Sequence, residues 1–445
     1  MKANLADNKP RRIGGRERTL RALSYQPVDR VPVDLGATNT TSAHVSVIAK
    51  LRQALSLDKT GEPVKVIDPH QMLGEVAADL RQALGIDVVN LGGPRNFFGF
   101  ENTDWKPWRT FDGTNVLVPG KFNTRPEPNG DILMYPQGDR SAPPSARMPN
   151  GGFYFDSIIR QKPIDDAKLN PVDNLEEFTL ISEEDLKYYR QKADELYENT
   201  DLAIAASFRG TAFGDIAHVP APWLKDPKGI RDIEEWYIST ISRKEYVKEV
   251  FAGQAEIALK NLQRFYGAVG ERVHVVYLDG TDLAAQNALF CSPQTYRELY
   301  LPFSKKLNDW IHANTKWKVM KHCCGACEPL IEGFIEAGFD ILNPIQTSAS
   351  GMDPEHLVKQ YGGRIVFWGG GVDTQNTLPF GTPDEVRKQV KTRLRIFGKT
   401  NGFVFNPVHN IQCNTPVENV LAMFEALGHF LPSTLRNRTG KKEQN

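Results

Sequence analysis

Cysteine is scarce in this chain of 445 residues, which has only five: Cys291, Cys323, Cys324, Cys327 and Cys413. An odd and sparse set excludes a disulfide framework. Net charge is missing too, because lysine plus arginine and aspartate plus glutamate each number 54. A balanced chain offers no electrostatic footprint for DNA, RNA or an anionic membrane. There is no run of about eighteen apolar residues, so no membrane span is expected. The opening MKANLADNKPRRIGGRERTL is polar and basic without an apolar stretch, so it does not read as a secretory signal and the chain is placed in the cytoplasm. No internal repeat and no low-complexity tract stands out. What is there, with 40% hydrophobic and 24% charged residues, reads as a soluble globular protein. The length suits one large barrel or two ordinary domains.

The second half alternates short apolar runs with amphipathic stretches. Val273–Leu278, Trp317–Met320, Phe339–Leu342, Ile365–Trp368 and Phe403–Phe405 are brief, apolar and β-branched or aromatic, as buried parallel strands are. Between them, Ser292-Pro293, Thr382-Pro383 and Thr415-Pro416 each place an N-cap before a proline at the first helical position. Glu385 and Glu418 stand three residues beyond their threonines, which predicts two capping boxes. Strand, loop, capped helix, strand is the rhythm of a parallel barrel or a doubly wound sheet. Residues 1–95 carry similar signals: an N-terminal helix, strand VPVDLG, helix Ala43–Leu55, strand VKVID and helix Leu73–Leu84. Residues 100–160 break the rhythm. Much of this stretch is rich in Gly, Pro, Asp and Asn, and it reads as β-hairpins with turns at Asp112-Gly113 and Asn129-Gly130. The expected architecture is one α/β domain over residues 1–445, with a β-rich cap inserted at 100–180 and a disordered tail at 434–445.

Three of the five cysteines fall in HCCGAC, residues 322–327. His322 and Cys324 close a strand, and residues i and i+2 of an extended chain share a face. Both can reach one point while Cys323 turns away, and Gly325 allows a sharp turn next. In a barrel this is the carboxyl rim, where βα loops carry chemistry. Cys413 follows strand Phe403–Phe405 and belongs to the same rim. Two thiolates and an imidazole suit Zn2+, and three protein ligands leave one position open for a substrate. Cys327 is a rival third ligand in a local HxCxxC. Cys291 precedes a helix cap and reads as packing.

These motifs carry a resemblance. RERTLRALSYQPVDRVPVDLG (16–36), HCCGACEPLIEGFIEAGFDILNPIQTSASGMDPEHLVKQYGGRIVFWGG (322–370) and GFVFNPVHNIQCNTPVENVLAMFEAL (402–427) resemble the uroporphyrinogen decarboxylase superfamily, its cobalamin-dependent methyltransferase branch above all. The resemblance covers most of the chain outside 100–180. It implies a (β/α)8 TIM barrel, with His322, Cys324 and Cys413 as the zinc ligands. It implies methyl transfer between a small methylated substrate or a thiol and the cobalamin of a separate corrinoid protein, because the chain shows no DxHxxG segment of its own. The decarboxylases carry an arginine-rich segment near the N-terminus, whereas here the stretch after Pro32 reads VDLGATNTTS. A decarboxylase or lyase is therefore the alternative activity, and a non-catalytic barrel with structural zinc is a third reading.

Other rim residues complete the expectation. Asp279 and Asp282 follow Leu278 in LDGTDLAAQ, resembling an acidic segment of the branch, with Gln286 beyond. His409 matches a cavity-lining position of the superfamily and could supply a proton. Asp279, Asp282 and His409 are the catalytic candidates. Gln286, Asn343, Gln346, Asp373, Arg209, Asp68 and His70, at or near strand ends, are the substrate-binding candidates, although helix capping or loop solvation also accounts for several of them. Gly369-Gly370-Gly371 lacks the lysine of a phosphate loop and reads as a tight turn. Trp105, Trp108, Phe153, Tyr154 and Phe155 read as a small hairpin core.

Overall fold

The computed structural model describes residues 13–58, 62–208 and 210–428. Its central element is a seven-stranded parallel sheet. In spatial order the strands are Val88–Asn90, Ala203–Ser207, Val275–Asp279, Lys318–His322, Ile341–Asn343, Val366–Trp368 and Phe403–Val404. The segment around Val33 closes this sheet into a barrel. Asp34 N–H donates to the Phe405 carbonyl and Phe405 N–H to the Pro32 carbonyl, each at 2.8 Å. On its other side the Val33 carbonyl accepts the Asp87 N–H at 2.8 Å. The result is the (β/α)8 TIM barrel that the sequence implied, with helices around the outside.

The barrel interior is filled by Val88, Ala203, Ala205, Val275, Met320, Ile341, Val366, Trp368 and Val404, which pack as one buried cluster. These residues alternate along their strands with side chains that face the helices, as a two-residue period requires. The same alternation turns Tyr277, His322 and Asn343 to this inner side, the last two at the ends of their strands.

The amino end of the barrel is pinned by a buried carboxylate. Asp87 accepts from Arg18 Nη1 at 2.6 Å, from Arg30 Nη1 at 2.6 Å and from Val33 N–H at 2.8 Å. Arg18 belongs to helix Gly15–Leu23. One side chain thus ties the N-terminal helix to the first strand segment and to strand Val88–Asn90.

Besides the expected helix Leu73–Leu84, which begins only at Ala78 after the short strand Leu73–Gly74, two expectations change. Strand VKVID, here Val64–Asp68, is not a barrel strand. It pairs in parallel with Asn115–Val118 and antiparallel with Leu73–Gly74, in a separate four-stranded sheet completed by Lys106–Arg109. Its alternation of buried and half-buried residues fits a sheet with one face outward, whereas barrel strands such as Ile341–Asn343 are buried on both faces. The barrel position belongs to Val88–Asn90, which is only three residues long and gives little sequence signal. Secondly, the capping box forms at Thr382 and Glu385 but not at Thr415. Helix Val417–Ala426 starts with Pro416 as its N-cap, which moves Glu418 one position too early to reach back.

The segment 106–157 forms antiparallel pairs: Lys106–Arg109 with Asn115–Val118, and Ile132–Met134 with Ala146–Met148 and then Asp156–Ser157. Gly113 and Gly130 take φ of +84° and +90° in the expected turns. Trp108, Phe122 and Phe155 pack ring to ring at 5.2 and 5.8 Å as a small core, while Phe153 and Tyr154 stay exposed. Among the described residues no helix is long and apolar enough to cross a membrane. The expected tail at 434–445 and Arg209 lie outside the described residues.

The Asp87 node yields a stability prediction. Removing one partner of a buried ion pair leaves the others unpaired and costs roughly 3–5 kcal/mol. Asp87→Ala is expected to lower the urea midpoint accordingly, whereas Asp384→Ala, which removes an exposed partner of Arg387, leaves it nearly unchanged.

Candidate metal centre

His322 is fixed by its neighbour on the next strand. Asn343 Nδ2 donates to the Trp368 carbonyl at 3.0 Å, which leaves its Oδ1 as an acceptor 2.7 Å from His322 Nδ1. His322 must therefore carry its proton on Nδ1, and Nε2 presents a lone pair. That nitrogen lies 3.4 Å from Cys324 Sγ and 3.8 Å from Asp282 Oδ1. A ring atom so oriented by a second residue is the usual preparation of a metal-ligating histidine.

Two residues after His322, Cys324 shares its face. Asp282 Oδ1 accepts the Cys324 N–H at 2.6 Å. Gly325 N–H donates to Gln346 Oε1 at 2.7 Å, and Ala326 N–H to the Ala285 carbonyl at 2.9 Å, so the turn is bolted to two other rim loops. Gly325 has a φ of +86°, and a Cβ there would meet the Ala284 and Ala285 carbonyls. Cys323 turns away, fully buried, and its Sγ accepts the Leu283 N–H at 3.3 Å. Cys327 is also fully buried, with its thiol on the Cys323 carbonyl at 3.6 Å. Cys291 packs in the core.

The third member of the group is His409. One ligand atom each from His322, Cys324 and His409 lies within 4.8 Å of the others. The two imidazole rings meet edge to face at 5.5 Å. Sequence reasoning drew the third ligand from Cys413 and gave His409 a proton role. In the structure Cys413 is outside this group. Its Sγ rests 3.5 Å from Asp112 Oδ2 at the hairpin tip, and burial, then Asp112, push its thiol up to about 11. The loop carries His409 inward and Cys413, four residues on, toward the hairpin. Asn410 anchors that loop, accepting the Ser42 N–H at 2.7 Å and donating to Gln71 Oε1 and the Asn39 carbonyl, both at 2.8 Å.

Burial acts on these groups in opposite directions by charge type. It pushes both His322 and His409 down to about 4, so near neutral pH both are neutral nitrogen donors. It raises Asp282 and, with Asp282 beside it, raises Cys324 well above the usual thiol value. Asp215, on the loop after strand Ala203–Ser207, is pushed up to about 7 by burial and by Asp282. Neutral imidazoles, a thiol and crowded carboxyls form a donor set that a divalent cation would stabilise. The fit to zinc is good, because two nitrogen donors and one sulfur donor are a zinc ligand set.

The other expected residues divide clearly. Asp282 and Asn343 are at the centre. Asp279 is committed to a buried ion pair with Lys321 Nζ at 2.9 Å and to the Thr281 N–H. Gln286 and Gln346 bond each other at 2.8 Å and brace the rim loops. Asp373 accepts from Gln375 N–H and Asn376 Nδ2, a local cap. Asp68 accepts from the His70 and Gln71 N–H groups as a turn residue. His70 stacks on Phe97 at 4.2 Å, in a cluster with His218 and Trp223. Sequence reasoning missed Thr40, Tyr277 and Asp215. Tyr277 was findable, as the polar residue two positions after inward Val275. Thr40, 3.4 Å from Asn343 Oδ1, and Asp215 stand in irregular loops without a periodic signal.

Residues 222–430, which contain His322, Cys324 and His409, match the family model described as Uroporphyrinogen decarboxylase (URO-D). Over that stretch, a little under half of the chain, the sequence is similar to that family. Among solved structures, the whole chain is similar to a methyltransferase from Methanosarcina mazei, at 16% identity and a TM-score of 0.52, covering 94% of this chain and 99% of that one. A hyperthermophilic beta-glucosidase mutant is more distant, at 9% identity and a TM-score of 0.34, covering 87% and 91%. No curated relative matches the sequence significantly.

If Asn343 holds the His322 tautomer, Asn343→Ala should weaken zinc affinity by roughly 10–100-fold while leaving Cys324 in place. Competitive titration with a chromophoric chelator measures this, and unchanged affinity would show that the amide does not orient the ligand.

Proposed function

We propose that this protein is a zinc-dependent methyltransferase. It moves a methyl group between a small methylated substrate or thiol and the cobalamin of a separate corrinoid protein. The observation that carries this reading is the convergence of His322, Cys324 and His409 at the carboxyl end of a uroporphyrinogen decarboxylase-type barrel. The likeness of the whole chain to a methyltransferase agrees with it. In this reading His409 takes the ligand position first assigned to Cys413.

Zinc bound there would act as a Lewis acid on the sulfur, oxygen or nitrogen atom that carries or receives the methyl. The protein's own groups do the rest. Asn343 keeps His322 neutral and aimed. Asp282, on the Cys324 N–H, holds the ligand loop and faces the open side of the site. Ligands fixed on separate rim loops would orient a bound substrate for attack at its methyl group. The chain is one barrel domain in this reading, with the β-rich segment 100–180 as its cap. The free thiols suit a reducing compartment, and the cytoplasm is the setting this reading assigns.

Decarboxylation of a polycarboxylate is less well supported. VDLGATNTTS brings no arginine to the rim to bind its carboxylates.

The test is metal content followed by turnover. Wild type should bind one zinc per chain. Cys324→Ala and His409→Ala should each lose it, while Cys413→Ala retains it. Zinc-loaded protein mixed with a cob(I)alamin-carrying partner and a panel of methylated compounds should change the cobalt absorbance. No change with any donor, and none with thiols and the methylated partner, would refute methyl transfer.

A further inference from the structure

Apolar side chains stand in water on one side of the metal mouth. Helix Ile233–Ser242, which follows strand Ala203–Ser207, buries Trp236, Ser239 and Thr240. Its other face carries Ile238, 46% exposed, and Ile241, 74% exposed. These two are three positions apart and therefore neighbours on one stripe. Phe290, 42% exposed on the loop after strand Val275–Asp279, extends the stripe through Tyr237, with the two rings 5.0 Å apart. Folding alone buries such residues, and a contiguous apolar patch left outside marks a surface that a partner covers.

The patch adjoins the metal centre. Tyr237 Oη donates to the Asp282 carbonyl at 2.7 Å, and Asp282 Oδ1 accepts the Cys324 N–H at 2.6 Å. Beyond Cys324, the loops after strands Ile341–Asn343 and Val366–Trp368 present uncharged polar groups. Gln346, which accepts the Gly325 N–H, bonds Gln286 at 2.8 Å, and Ser348 donates to Gln375 at 2.7 Å. An apolar stripe and a neutral polar ledge thus flank one opening. Arg243 and Lys244, next to the stripe, are paired with Asp166, Glu235 and Glu298, so an anionic partner finds little to hold.

We infer that the stripe Tyr237, Ile238, Ile241 and Phe290 is the docking surface for the corrinoid protein. This names the partner's footprint in the methyl-transfer reading and rests on that reading. A cobalt held by another protein reaches this metal centre only when that protein lies across the mouth, and the residues bordering the mouth then fall inside the interface. The chemistry of the border suits such a partner. A corrin is a flat apolar ring edged with neutral carboxamide arms, which amides and hydroxyls such as those of Gln286, Ser348 and Gln375 can meet without a cation. The protein shell around the corrin rests on the isoleucines. An apolar centre beside a neutral polar rim is the make-up of a protein–protein interface.

The experiment compares free methylcob(III)alamin with a corrinoid protein loaded with the same cofactor, each offered with a thiol acceptor. Ile241→Lys, with Ile238→Lys as a second variant, should raise the KM for the corrinoid protein by about 10–100-fold. Zinc content and turnover of free methylcob(III)alamin should stay at wild-type levels. Sedimentation velocity should show the complex with wild type and its loss in both variants. Phe380→Lys changes a side chain that is also 74% exposed, on another rim loop, and should alter none of these readings. Unchanged partner binding in both isoleucine variants overturns the proposal. Equal loss on free and protein-bound cofactor overturns it too, because the stripe then serves the barrel's own integrity, and so does a like loss in Phe380→Lys. A wild-type dimer that the variants dissolve, with the KM for the corrinoid protein unmoved, assigns the stripe to a second copy of the chain instead. If wild type transfers methyl from neither form of the cofactor, the methyl-transfer reading fails and the docking surface with it, whereas turnover of both forms with unaffected variants refutes the docking surface alone.

Discussion

Everything at the mouth of this barrel depends on the first strand segment being held from both sides. Without the hydrogen bonds of Val33 to Asp87, and of Pro32 and Asp34 to Phe405, the seven strands would form an open sheet with distant edges. Closure brings Thr40 to Asn343 and Ser42 to Asn410, across more than three hundred residues of sequence in each case. These contacts position the two arms that bear His322 and His409. The buried ionic node at Asp87 holds the opposite end, far from the chemistry. Stability and function are thus assigned to opposite ends of the same strands, as parallel barrels require.

At the carboxyl end, one physical effect does two jobs. Withdrawal from water penalises whichever form of a group is charged. Applied to His322 and His409 it leaves neutral nitrogen donors, and applied to Asp282, Asp215 and Cys324 it leaves groups reluctant to ionise. A cavity of this kind stabilises an added cation or retains protons. Lys321 does not satisfy that demand, because its charge is spent on Asp279 behind the strand.

Much of this was legible in the sequence, for reasons that can be named. Strands Lys318–His322 and Val366–Trp368 are short buried runs between capped helices, and such runs announce a parallel barrel. The i, i+2 spacing of His322 and Cys324 fixed their shared face and the outward turn of Cys323. Other features were not readable, because tertiary contact overrode local pattern. VKVID has good strand propensity, but propensity does not say which sheet a strand joins. Which of His409 and Cys413 lies beside His322 turned on the path of an irregular loop, and that path is set by Asn410 and by a hairpin tip three hundred residues away. Asp215 had no periodicity to reveal it.

The bond between Gln71 and Asn410 places the outer four-stranded sheet mechanically in series with the metal arm. Gln71 stands at the turn between Val64–Asp68 and Leu73–Gly74, and Asn410 is the residue next to His409. Any displacement of the outer sheet would therefore bear on the loop that carries His409 and not on His322, which Asn343 holds. Of the two imidazoles at this centre, one is tied to the barrel's own strands and the other sits on a loop tied to the outer sheet.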